Sequence, residues 1–441
     1  MRLSRLGMLL GLCLWQSGVA ASPRYEDAPV FYSDSEAHDV LPALIASIND
    51  KSITVDRSSD KAFVRDLLRL FRIPVESQVL VFSKTSFQNR RITPEHPRAL
   101  FYSKDVYLGW VPGGSVEIIT NDPELGPIFY VLNIHDTVLT PKREASCLDC
   151  HGRSRTHDVP GLLVRSVFPA DDGQPILSNG STLVDHSTPL DQRWGGWYVT
   201  GDHQDRSHLG NMIFERLSDG SARMVQDQGR ILADLDGVFD TSRYLTNTSD
   251  IVALMVLEHQ AMAHNAIAKA QLNTRLRLHQ NQAIAELLEL KPGELTETSQ
   301  RVLDGLAENL LDVMFFYDEL PLSRNVLGQS GPFQEAFEKQ AGVGSEQDSL
   351  YTMDLVQRLF RYRFSYMVYT EAFADLPPSF LAIFFSKLGD VLTADDPDDD
   401  KYADIEIEER LAIARILGKT LPEAWLDAMG AKNNETTHAG G

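Results

Sequence analysis

Cys147 and Cys150, separated by two residues and followed at once by His151, most narrow what this chain can be. The chain has three cysteines in 441 residues, and the remaining one, Cys13, lies in a leader-like segment. No structural disulfide framework can therefore hold the fold, and an apolar core must do so. A C-x-x-C-H run sets two thiols on one turn of chain at about the separation of a porphyrin's two vinyl groups, with an imidazole under the metal. The stretch "ASCLDCHGRSRTHDVPG", 145–161, thus implies one covalent c-type haem, with thioethers from Cys147 and Cys150 and His151 as axial ligand.

Two other chemistries use the same residue types. A redox-active dithiol needs a helix N-terminus after a strand to lower a thiol pKa, whereas this motif runs into the breaker-rich "GRSRTHDVPG". A structural zinc site could recruit Cys147, Cys150 and His151 or His157, but such sites close with four ligands and no further cysteine follows the leader.

The leader reading rests on Arg2 and Arg5, an apolar run from Leu6 to Trp15, and the small residues of "SGVAAS". Residues 1–21 therefore read as a cleaved signal peptide, which places the mature protein in the periplasm. The apolar run is too short to span a bilayer and no later stretch is long enough, so no membrane span is expected. The net charge is −21, with 62 acids against 41 Lys and Arg, and cleavage makes the exported form more acidic still. Nucleic acid is excluded as a partner on that balance, and a charged redox partner is expected to be basic.

Along the chain, "DVLPALIASIND" and "KAFVRDLLRLF" read as helices. "SQVLVFSK", "RALFYSKDVYLGWV", "SVEIIT" and "PIFYVLNI" read as strands of an antiparallel sheet, with a hairpin turn at "PGG", 112–114. Residues 152–192 are rich in Gly, Pro, Ser and Asp and are expected to order around a ligand, before "RWGGWYVTGDH" returns as a strand. From Thr246 the period changes to that of helices, through "RVLDGLAENLLDVMFFYDEL", "YTMDLVQRLFRYRFSYMVYTEAF" and "PPSFLAIFFSKLGDVL". The fold class is α+β, with two cores. A β-rich haem domain with long loops over 22–245 precedes an all-helical domain over 246–428 and a disordered tail over 429–441. The small all-helical cytochrome c fold is not expected, because there the motif sits on an N-terminal helix.

The sixth ligand of such a haem is open. Nearby candidates are His157, His186, His203, His208 and Met212, and more remote ones are His135, Met224, His259, Met262 and His264. The segment holding His203, His208 and Met212 is preferred, since it follows a strand that should pack near the haem. Propionates call for the planar fork of arginine, and Arg90, Arg91, Arg98, Arg165 and Arg193 are candidates against the ordinary reading of solvated side chains. Trp194, Trp197 and Tyr198 could line the porphyrin or simply fill the core.

In "EHQAMAHN" the spacing fits neither a zinc protease nor a di-iron helix, since His259 and His264 are five apart and the residue three after Glu258 is Ala261. Met255, His259 and Met262 share one helix face, which reads as core. The acidic run from Asp396 lacks the glycine and glutamate of an EF-hand loop. No phosphate-binding glycine loop or "GxSxG" elbow occurs.

The wording "CLDCHGRSRTHDVPGLLVRSV", "DHSTPLDQRWGGWYVTGDH" and "RLFRYRFSYMVYTEAFADLP" resembles a family of exported bacterial single-haem cytochrome c-like proteins. The resemblance implies a c-type haem on Cys147 and Cys150 with His151 on the iron, and no particular reaction. Single-electron transfer is the expected function. A peroxidase-like enzyme with a displaceable sixth ligand, or a haem-based sensor or assembly module, are the alternatives.

Overall fold

The computed structural model describes residues 23–201, 207–227, 231–291, 293–322, 331–342, 348–394 and 401–430. Two amphipathic helices open it. In α1 (Val40–Asn49) the Asp39 carboxylate caps the Leu41 amide, and Leu41, Ile45 and Ile48 line the buried stripe. In α2 (Asp60–Leu70) Ser59 caps Ala62, and Phe63, Val64, Leu67 and Leu68 are buried.

An antiparallel meander follows: β1 (Val79–Val81), β2 (Arg98–Tyr102), β3 (Tyr107–Trp110), β4 (Val116–Asp122), β5 (Gly126–Leu132) and β6 (Lys142–Arg143). The short helix α3 (Leu148–His151) carries the motif, and a two-stranded ribbon of β7 (Arg165–Val167) and β8 (Ser181–Leu183) follows. Next, β9 (Trp197–Tyr198) returns to pair with β1 and completes a seven-stranded sheet of order β6-β5-β4-β3-β2-β1-β9. β10 (Met212–Arg216) and β11 (Ala222–Asp227) form a separate hairpin.

The second half is helical. α4 (Ile251–Leu287) runs 37 residues from an Asp250 cap and packs on α5 (Glu297–Met314). Then come α6 (Pro332–Glu338), α7 (Glu371–Ala374), α8 (Pro378–Thr393), α9 (Ile407–Thr420) and α10 (Glu423–Ala428). The expected helix over 351–373 is mostly irregular: only a 3-10 turn, Tyr366–Tyr369, and α7 form there. Asp354 caps the amides of Gln357 and Arg358, Leu355 takes a positive φ, and Met353 bridges to Phe360. Tyr351, Phe360 and Tyr366 gather around Phe337 instead, so aromatic packing overrides the helical period.

Two cores result, and the sheet separates them. Its face bearing Leu80, Phe101, Leu108, Ile118 and Tyr130 packs on α1 and α2 and on Ala268, Leu272 and Leu276 of α4. Its face bearing Val79, Val81, Tyr102, Tyr107 and Trp197 packs on the first half of α4 and on the other helices. Both cores therefore draw on residues before and after position 245. The expected leader, 1–21, and residues 431–441 of the expected tail lie outside the described residues, whereas Met429 is buried in the second of these cores. Among the described residues no helix is long and apolar enough to cross a membrane.

Candidate functional site

Antiparallel register decides which residues share the face beside the motif. Leu100, Gly109, Glu117, Val131 and Lys142 form one cross-strand row, and Tyr102, Tyr107, Ile119 and Phe129 form the next. On this face Leu100 of β2, Ile119 of β4 and Val131 of β5 are only half-buried. Beside them the chain leaves β6, turns through Ala145–Cys147 and enters α3. The His151 ring lies 5.0 Å from the Phe129 ring at 46°.

His151 is held by its own loop. Its Nδ1 lies 2.8 Å from the Gly161 carbonyl oxygen, and the Gly161 amide donates back to the His151 carbonyl at 2.8 Å. Because a carbonyl only accepts, Nδ1 carries the proton and Nε2 keeps its lone pair. The loop is in turn clamped on α4, where Asn265 accepts from the Leu162 amide at 2.7 Å and donates to the Leu162 carbonyl at 2.8 Å. A Cβ at Gly161 would stand 2.4 Å from Asn265 Oδ1, so only glycine allows this approach. Buried Thr156 ties the loop internally by donating to the Val159 carbonyl at 2.7 Å. Burial depresses the His151 pKa and the Gly161 contact opposes it, so the ring is neutral at pH 7.

The thiols differ. Cys147 is half-buried and Cys150 exposed, and both are free. Burial, with the Glu117 and Glu144 carboxylates nearby, pushes the Cys147 thiol up to about 12. A catalytic dithiol requires the opposite shift. For zinc, no group of three or more suitable donors forms among the described residues.

The arrangement fits a covalent haem. Two thiols lie one turn apart, the adjacent imidazole has its distal nitrogen fixed by a carbonyl, as haem and metal ligands commonly have, and a half-open apolar sheet face lies alongside. Cys147 and Cys150 would hold the porphyrin and His151 the iron.

The other sequence candidates are dispersed. His186 Nε2 bonds the Tyr317 carbonyl at 3.0 Å, His259 Nε2 meets Ser365 Oγ at 2.6 Å, and His264 Nε2 meets the Lys104 carbonyl at 2.9 Å. His208 is buried against Trp194, and Met212 lies in a satellite core with Ile176 and Phe214. His157 and Met224 are exposed, His135 faces Asp60, and His203 lies outside the described residues. Met255 and His259 are buried and Met262 packs against the same core, as the core reading expects.

Of the arginines, Arg90 and Arg91 are exposed, and Arg193 is bound to Glu258 at 2.7 Å within the core. Arg98 and Arg165 lie close enough to the motif to perturb the charges of Cys147, His151 and Cys150. The three aromatics are core: Trp194 donates to Glu258, Trp197 to the Arg165 carbonyl and Tyr198 to the Pro94 carbonyl. A cavity of about 750 Å³ lies elsewhere, between Phe316, Glu319, Arg358, Arg363 and Tyr402. Its lining includes no residue of the motif, and the chemistry of the motif, not cavity size, marks the site.

Sequence reasoning did not find Phe129, Gly161 or Asn265. Asn265 left one signal, a polar residue in the apolar first half of a long helix. No family model, no curated protein and no solved structure matches the chain.

Proposed function

We propose that this chain is an exported carrier of one covalently attached haem that passes single electrons in the periplasm. The observation that carries the reading is the bond from His151 Nδ1 to the Gly161 carbonyl, immediately after two free thiols at C-x-x-C spacing. Bound haem supplies a one-electron couple at iron. The chain's own contribution is to anchor the macrocycle through Cys147 and Cys150 and to present Nε2 of a neutral His151. The apolar Ile119 and Val131, neighbours on that face of the Phe129 ring that His151 contacts, lower the local dielectric there. Covalent attachment suits a protein that has left the cytoplasm and would not recover a lost cofactor. The acidic surface would steer a basic redox partner, and exchange rates should then fall with added salt. The test is expression with a cytochrome maturation system, followed by an intact mass and a pyridine haemochrome spectrum. A gain of one haem with a thioether-type spectrum supports the reading, and colourless protein of bare polypeptide mass overturns it.

A second reading has support in the same geometry. Among the described residues His186, His259 and His264 spend their Nε2 atoms on partners in the core, so these three do not offer that atom to iron, and a sixth position open to a small molecule with a peroxidase-like activity is the second reading. Cyanide added to the ferric protein decides between them. A rapid shift to a low-spin spectrum supports the open site, and an unperturbed spectrum supports the carrier.

A further inference from the structure

We propose that Arg98 and Arg165 form a two-point carboxylate clamp that receives the two propionates of the haem, an inference that rests on the haem reading. Arg98 leaves β2 on the face shared with Phe129 and lies across β3 at Gly109, where a Cβ would stand 2.4 Å from its Nη2. This missing side chain lets the guanidinium cross β3 and reach Glu117 on β4. Arg165 begins β7, with Nη2 bonded to Ser181 Oγ at 2.9 Å. In both arginines Nε is buried and has no hydrogen-bond partner. A buried N–H without an acceptor carries an uncompensated desolvation cost, so each calls for an anionic acceptor. Both lie near the motif, Arg98 close enough to act on the charges of Cys147 and His151 and Arg165 on that of Cys150. Two elongated side chains, each fixed by one hydrogen-bond partner and open at Nε, suit two carboxylates carried on one rigid body.

The experiment measures the haem's midpoint potential from pH 5 to pH 8, with resonance Raman spectra of the propionate bending bands. It uses the matured protein and its R98Q, R165Q, R98K and R165K variants, each first checked for covalent haem by mass. Guanidiniums that hold both propionates ionised give the wild type a flat profile across this window. In each Gln variant the freed propionate titrates within it, so the potential falls as pH rises and one bending band shifts. The Lys variants keep charge without the fork and fall between. R98Q/E117Q repeats the Arg98 measurement without a stranded Glu117 carboxylate, should R98Q not accumulate. Fully loaded Gln variants with wild-type profiles and bands overturn the clamp and leave the haem reading standing. A wild type without haem removes both.

Discussion

His259 is a fully buried imidazole and His151 a half-buried one, and desolvation pushes the pKa of both below the ordinary range, yet the structure spends different nitrogens of the two rings. His259, on α4, has no exposed surface, stacks on Phe316 at 4.1 Å between ring centres, and meets Ser365 Oγ at 2.6 Å. Phe360 and Tyr366 close the remaining sides. His151 is tied at the other nitrogen, Nδ1, and stands beside sheet residues left half-exposed. A lowered pKa therefore does not set the two rings apart. What distinguishes His151 is which nitrogen is spent and that two thiols precede it.

The comparison breaks first at the thiols. Cys147→Ala with Cys150→Ala is expected to abolish covalent haem altogether, read as an intact mass equal to the bare polypeptide. A retained haem mass would place attachment elsewhere.

On the sealed side the largest effect belongs to Arg193, whose Nη1 lies 2.7 Å from Glu258 while Trp194 donates to the same carboxylate at 2.5 Å. Arg193→Ala strands that carboxylate in the core and should cost about 3–5 kcal/mol of unfolding free energy. The urea midpoint checks this, and haem content per folded molecule should stay unchanged. The two histidines then cross over. His259→Ala empties an aromatic-lined site and should cost roughly 2–4 kcal/mol while leaving the absorption spectrum alone. His151→Ala should change the spectrum of any haem that is bound while moving the urea midpoint by less than about 1 kcal/mol. A spectrum that responds to His259 and not to His151 would reverse the assignment.

The sheet and the long helices were legible because alternation and the 3.6 period act over many residues. Val116, Ile118 and Thr120 of β4 are fully buried while Glu117 and Ile119 on its other face are half-buried, and the helical pattern after Thr246 becomes α4. The 351–373 segment was not legible, because its aromatic residues satisfy a helical period equally well whether they line a helix face or gather around Phe337. Within the site the motif was visible because its chemistry is local. The partners that orient it are not, since Gly161 is ten residues away and Asn265 a further hundred, brought together only by tertiary packing. The strand expected near the haem, β9, pairs with β1 at the opposite edge of the sheet from β6, which carries the chain into the motif. For that reason His208 and Met212 pack into other surroundings.

The smallest effect is a pH dependence of stability that belongs to the sealed side. His186, His259 and His264 are neutral in the fold, with pKa values lowered chiefly by burial. In the unfolded chain they take up protons below about pH 6.5, so the unfolded state binds more protons and stability falls as pH falls through that value. Glu258 and Glu319 act the other way. Burial raises both carboxyls to about 7, so the folded state holds protons that the unfolded chain releases above about pH 4.3, and this part of the stability falls as pH rises between those values. Three imidazoles outweigh the two carboxyls, and a net loss on the order of 1 kcal/mol is expected between pH 7 and pH 5, read from urea midpoints. Glu319→Gln should steepen the acid loss and His259→Gln should shallow it. A profile in which His259→Gln changes nothing would mean that the imidazole keeps the same protonation in the folded and unfolded chains, and that the wall of Phe316, Phe360 and Tyr366 does not exclude water from it.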